Sequence, residues 1–189
     1  MVDFTIHTVE TAPENAKPLL EKSQKAYGMI PNLHGVFAES PEVLEAYQVV
    51  GDLFGKSSLS AIERNVVWLA INVEHKCHYC VPAHTVIAKQ QGVDDETIEA
   101  LRNAAPLTEP KLQALRAFTL KVVRQRGEVA GADVTAFLDA GFTKQNILDV
   151  ILGVAHKTMS NYANHLADTP VDAPFKAADW TAPQADAAA

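Results

Sequence analysis

Helix start and stop signals recur from Ser40 to Leu166, and no stretch alternates apolar and polar residues as a half-buried strand would. Ser40-Pro41 sets a capping serine before a proline at the first helical position, opening a helix that runs to about Gly55. Ser60 and Glu63 have the spacing of a capping box, and Ile62, Val66, Val67, Leu69, Ala70 and Val73 form the apolar stripe behind it. A helix around the cysteine pair stops at Gly92, and Asp94 or Asp95 caps a short one through Leu101. Thr108 to Gly127 carries Leu112, Leu115, Phe118, Leu120 and Val122 at helical spacing. Asp133 to Ala140 and Thr143 to about Leu166 complete the set. The pattern predicts an all-α bundle.

The 189 residues are enough for one domain, 1–189, with a core over about 29–170 and a peripheral arm and tail. Both ends read as loose. The tail beyond Pro170 carries Phe175 and Trp180, which need something to pack on, and Ala187-Ala188-Ala189 reads as frayed. An internal echo also lays Ser60 to Cys80 over Thr143 to Ala163 without a gap, placing Tyr79 on Tyr162. It predicts either two related helical halves or the chance likeness of two amphipathic helices.

Hydrophobic residues at 48% and charged residues at 21% exclude a disordered chain. A net charge of −7 without a basic run excludes nucleic acid as a partner. No run of about 18 apolar residues is present to span a membrane, and the N-terminus lacks the basic and apolar regions of a signal peptide. Two cysteines in such a chain point to the cytosol, where a CxxC pair is redox-active or metal-binding rather than structural.

Those cysteines stand in Cys77-His78-Tyr79-Cys80-Val81-Pro82-Ala83-His84. Pro82 belongs in a first helical turn, which starts the helix near Tyr79, with Cys77 at its cap and Cys80 inside it. There the helix dipole favours a thiolate. His84, four residues after Cys80, lies on the same face and can accept its proton. Cys77 would then attack the sulfenate formed on Cys80 and close a disulfide. His75, Lys76 and His78 crowd the same end, as aids to ionisation or as a solvated loop. Two other readings stay open: buried cysteines with an unrelated histidine, and a zinc site on Cys77, Cys80 and His84 with His75 or His78. Val81 occupies the position where a c-type haem motif needs histidine, and the helical setting lacks the βαβ unit of a thioredoxin.

The block Glu74-x-x-Cys77-x-Tyr79-Cys80-x-x-x-His84 resembles the alkylhydroperoxidase D/carboxymuconolactone decarboxylase family. Met29 to Leu33, Ser40 to Glu42, Ala136 to Phe142 and Ser160 to His165 resemble further family segments. The resemblance implies an all-helical, oligomeric fold, with Cys80 the peroxidatic thiol, Cys77 the resolving one and His84 the proton relay to a glutamate. The commonly cited relay position is Asn65 here, an amide, so Glu74 is the substitute carboxylate; Glu63 is explained by its cap. The implied function is a thiol peroxidase acting on hydrogen or organic hydroperoxides, without metal or other cofactor, recycled by a thiol or dithiol reductant. The alternatives are an acid–base decarboxylase or lactone enzyme using His84 and Glu74, and a non-enzymatic oligomeric or zinc-stabilised module. Homo-oligomerisation is expected, through the last long helix and the aromatic tail.

Overall fold

The computed structural model describes residues 3–183, so the three terminal alanines lie outside the described residues. Those residues form nine α-helices and no strand. The helices are α1 (Lys17–Tyr27), α2 (Asn32–Phe37), α3 (Pro41–Gly55), α4 (Ala61–Glu74), α5 (Cys80–Gln90), α6 (Asp95–Arg102), α7 (Pro110–Arg124), α8 (Gly131–Asp139) and α9 (Lys144–Ala167). Short 3-10 turns at Glu14–Ala16 and Ala173–Ala178 bracket them.

The central helix is α4. Val66, Val67, Leu69, Ala70, Ile71 and Val73 are buried on nearly all its faces, as a helix packed on several sides requires. It lies against α5, α7 and α9, and α3 covers α9 in turn. Its start has the expected capping box, with Ser60 and Glu63 each satisfying the other's backbone N–H. One core gathers Phe54, Leu69, Ile98, Leu115 and Phe137 between these helices. A second joins Leu20, Leu33, Phe37, Leu44 and Tyr47 to Tyr79 and both cysteines.

The N-terminal segment is not a loose arm. Ala12, Ala16 and Leu20 are buried in the core that holds the cysteines. Leu20 and Ser23 are the buried positions of α1, which has a proline in its first turn and Gly28 as a left-handed cap. Six residues are too few for α2 to display a helical period. The tail also has a definite place. Trp180 Nε1 donates to the Arg102 carbonyl at 2.9 Å, and the Arg102 guanidinium donates back to the carbonyls of Ala178 and Asp179. Trp180 is thereby held on α6 of its own chain while staying half-buried. The echo between halves ends in different structures: α4 stops at Glu74, whereas α9 continues through Ala167.

The crossing of α9 over α4 and α3 needs a glycine. A Cβ on Gly153 would meet Val67 Cγ1 at 2.8 Å and Phe54 Cε2 at 2.9 Å. Gly153→Val is therefore expected to cost about 1–3 kcal/mol of stability by overpacking. Urea unfolding checks this; an unchanged midpoint would mean that the crossing yields freely.

Candidate active site

Two helix ends place the cysteines. At the end of α4, Lys76 adopts a left-handed φ of 55°, its N–H bonding the Val73 carbonyl, while the Cys77 N–H bonds the Asn72 carbonyl. This is the Schellman arrangement, with a lysine where glycine is usual, and it turns Cys77 inward. The next helix, α5, starts at Cys80 with Tyr79 as its cap, within a residue of the expected start. Cys80 thus stands at the positive end of a helix dipole.

The two thiols are free and buried. The Cys80 backbone N–H donates to Cys77 Sγ at 3.3 Å, and Asn164 Nδ2 donates to Cys80 Sγ at 3.3 Å. Burial opposes ionisation of Cys80. The hydrogen bond from Cys77, the nearby charge of Lys157, and bonds from Ser160 and Asn161 outweigh it and bring the thiol down to about 5. Donating that bond, together with burial and the charge on Cys80, pushes the Cys77 thiol up. One sulfur is poised as thiolate, the other as its thiol donor.

His84 is buried one turn along α5, but its ring meets Lys157 of α9 rather than Cys80. Lys157 Nζ lies 2.8 Å from His84 Nε2, and His84 Nδ1 has no partner among the described residues. Burial, with the charges of Lys157 and His156, holds the His84 imidazole well below its usual range and therefore neutral. Its Nε2 then accepts from Lys157, and the ring proton belongs to Nδ1.

The structure does not bring Glu74 to the sulfurs. Its carboxylate accepts two hydrogen bonds from Arg124 of α7, at 2.8 and 2.7 Å, and those bonds lower its pKa. Asn65 is buried and structural, donating to the Ala61 carbonyl and to Gln91 Oε1, each at 2.8 Å. His75 and His78 bind α9 and its C-terminal extension: His75 Nδ1 lies 2.9 Å from Asn161 Oδ1, and His78 Nε2 lies 3.0 Å from the Thr169 carbonyl. Among the described residues, no three His, Cys, Asp or Glu side chains gather as a metal site would need.

Cys80, His84 and Lys157 line a cavity of about 620 Å³ whose walls include the rings of Tyr47, Trp68 and His156. Tyr47 and His156 stack with ring centroids 4.3 Å apart, and Trp68 stands 5.0 Å from the His84 ring. Phe175, in the 3-10 turn of the tail, forms part of the rim. The tail is anchored beside the site by Tyr79, whose hydroxyl donates to Asp172 at 2.5 Å.

Lys157 and Asn164 were not read as site residues from the sequence, though a signal was present. Lys157, Ser160, Asn161 and Asn164 fall at i, i+3, i+4 and i+7, and all four are buried. A polar stripe in a helix's core register marks a site rather than a surface.

The carboxymuconolactone decarboxylase family model matches residues 41–121, the stretch holding α4 and the CxxC turn. No curated protein matches the sequence. The fold is shared with a peroxidase-related protein of Ralstonia eutropha JMP134 described as an alkylhydroperoxidase AhpD core, at 22% identity, TM-score 0.81, covering 91% of this chain and 93% of that one. It is also shared with a peroxidase-related protein of Silicibacter sp. TM1040, at 24% identity, TM-score 0.77 and 92% of each chain. The debrominase Bmp8, solved as a cysteine-to-alanine variant in complex with 2,3,4-tribromopyrrole, has the same fold at 13% identity, TM-score 0.77, covering 94% of this chain and 95% of that one. Residues 41–121 are thus similar to the carboxymuconolactone decarboxylase family, and the chain has an AhpD-like helical fold.

Proposed function

We propose that this protein is a dithiol peroxidase in which Cys80 reduces a hydroperoxide and Cys77 resolves the product. The observation that carries the reading is the Cys77–Cys80 pair itself, with Cys80 drawn down to about 5 at the wall of a substrate-sized cavity. A thiolate attacks the peroxide O–O bond, giving Cys80–SOH and, after proton transfer, an alcohol or water. The Cys77 thiol displaces water from the sulfenic acid and closes the disulfide. An external thiol or dithiol then returns both sulfurs to the reduced state by exchange. Treating reduced protein with excess tert-butyl hydroperoxide should remove two thiols per chain, and dithiothreitol should restore both. Unchanged thiols at millimolar peroxide would sink the reading.

The acid–base alternative loses support because Glu74 is engaged by Arg124 and does not line the cavity. A second redox reading has its own observation. The aromatic walls formed by Tyr47, Trp68 and Phe175 suit a small planar ring, and Bmp8, whose fold this chain shares, is a debrominase. The same dithiol could then supply two electrons for reductive removal of halogen. Bromide release from a brominated pyrrole, with loss of two thiols, would favour it over peroxide reduction.

Assembly is a further expectation. Leu148, Ile151, Tyr162 and Leu166 form an exposed stripe along α9, on the face opposite Lys157 and Asn164. Apolar stripes of this kind are commonly covered by symmetric association. Light scattering at micromolar concentration should give a homo-oligomer, and Leu148→Glu with Ile151→Glu should reduce its mass to one chain. A monomeric wild type would remove the expectation. Among the described residues, no helix is long and apolar enough to cross a membrane.

A further inference from the structure

A lysine with no exposed surface needs a reason. Lys157 is fully buried, and among the described residues no carboxylate forms an ion pair with it. The anion that acts on it is the Cys80 thiolate, with the Cys77 thiol beside that sulfur, and the Lys157 ammonium is hydrogen-bonded to His84. His156 beside it on α9, and His84 on α5, are neutral for lack of solvent, so neither supplies a negative charge. A buried ammonium without a counter-charge is costly. The thiolate is that counter-charge, and it disappears when Cys80 is oxidised.

We propose that Lys157 is the proton carrier of this site, charged while Cys80 is a thiolate and neutral once the sulfur is oxidised. The cycle rests on the dithiol reading above. In the first step Cys80–S⁻, ROOH and Lys157–NH₃⁺ give Cys80–SOH, ROH and Lys157–NH₂, the proton passing to the leaving alkoxide through His84. In the second, the neutral amine takes the Cys77 proton and returns it to the departing hydroxide, so that a disulfide and water form. Reduction by an external dithiol restores one thiol and one thiolate, and the remaining proton recharges Lys157. Lys157 thereby supplies the proton transfer that the expected glutamate does not.

The test uses the full chain and an oxidant that is not a peroxide, so it survives failure of the peroxidase reading. Diamide closes the pair by taking two electrons and two protons. One of those protons comes from Cys77 and the other from Lys157. At pH 7 in weak buffer with an indicator dye, wild type should therefore take up no proton per disulfide formed. Uptake of one proton per disulfide would overturn the proposal, because Lys157 would have stayed charged. In Lys157→Met, the pH midpoint for alkylation of Cys80 by iodoacetamide should rise by about 1–3 units, the span for loss of a close opposite charge. Lys157→Arg should keep a low midpoint, since arginine holds its charge. It should instead take up one proton per disulfide. An unshifted midpoint in Lys157→Met, or zero uptake in Lys157→Arg, would overturn the proposal. If neither variant folds by circular dichroism, the wild-type proton count decides alone. Wild type that closes its disulfide with diamide but ignores peroxide would sink the peroxidase reading and leave this one standing.

Discussion

Cys80→Ser should reduce peroxide consumption to background, a loss on the order of 10³-fold or more, as expected when a nucleophile is removed. A serine hydroxyl does not ionise in this range, so the hydrogen bonds from Asn164 and Cys77 and the charge of Lys157 would have no thiolate to stabilise. Cys77→Ser should behave differently. Its hydroxyl can still donate to Cys80, so the thiolate and the first oxidation should survive while disulfide closure is lost. One thiol per chain should then be consumed, and dimedone should trap the sulfenic acid at Cys80. Because both positions are buried, far-UV circular dichroism of each variant must match wild type before the rates are compared. A dimedone adduct on Cys77 in a Cys80→Ser chain, with peroxide still consumed, would reverse the two roles.

The sequence carried the helices that announce themselves by chemistry at their ends. Ser60 and Glu63 form their capping box as spaced, Asp94 caps α6, and Pro41 sits in the first turn of α3. Two helices were hidden for other reasons. α1 has a proline in its first turn and Gly28 as a left-handed cap but is mostly polar, and α2 is too short for a period. The site was legible to the same extent. CxxC spacing disclosed a dithiol because both partners lie within one turn of chain. The partner of His84 comes from α9, 73 residues away, and local spacing says nothing about it. Glu74 shows the converse: the family resemblance brought it forward as the relay carboxylate, but its position at the end of α4 gives its carboxylate to Arg124 on α7. Periodicity within α9 held the missing information, in the polar side chains that fall where the helix needs apolar ones.

Those buried imidazoles also predict how the protein fails in acid. Burial lowers His34 to about 4 and His156 to about 2, the latter assisted by the charge of Lys157, and His84 lies well below its usual range. In the unfolded chain each should titrate near 6.5. The sign follows from linkage. Below pH 6.5 the unfolded chain binds protons that the folded chain refuses, so stability falls as pH falls toward the folded values. Three such groups give a slope of about 4 kcal/mol per pH unit, at roughly 1.4 kcal/mol for each proton. Between pH 6.5 and pH 5 the loss reaches about 5 kcal/mol, comparable with the entire stability of a typical domain, about 5–15 kcal/mol. The carboxylates with lowered pKa, Glu63, Glu74 and Asp94, add to the loss only at lower pH, because their unfolded values lie near 4. Urea unfolding at pH 7, 6 and 5 should therefore show midpoints that fall steeply and together by fluorescence and circular dichroism. His156→Phe, which keeps a ring against Tyr47 and cannot bind a proton, should reduce the slope by about a third. Midpoints that stay level from pH 7 to pH 5 would mean that the imidazoles take up protons in the folded state, and the neutral His84 to which Lys157 donates would fall with them.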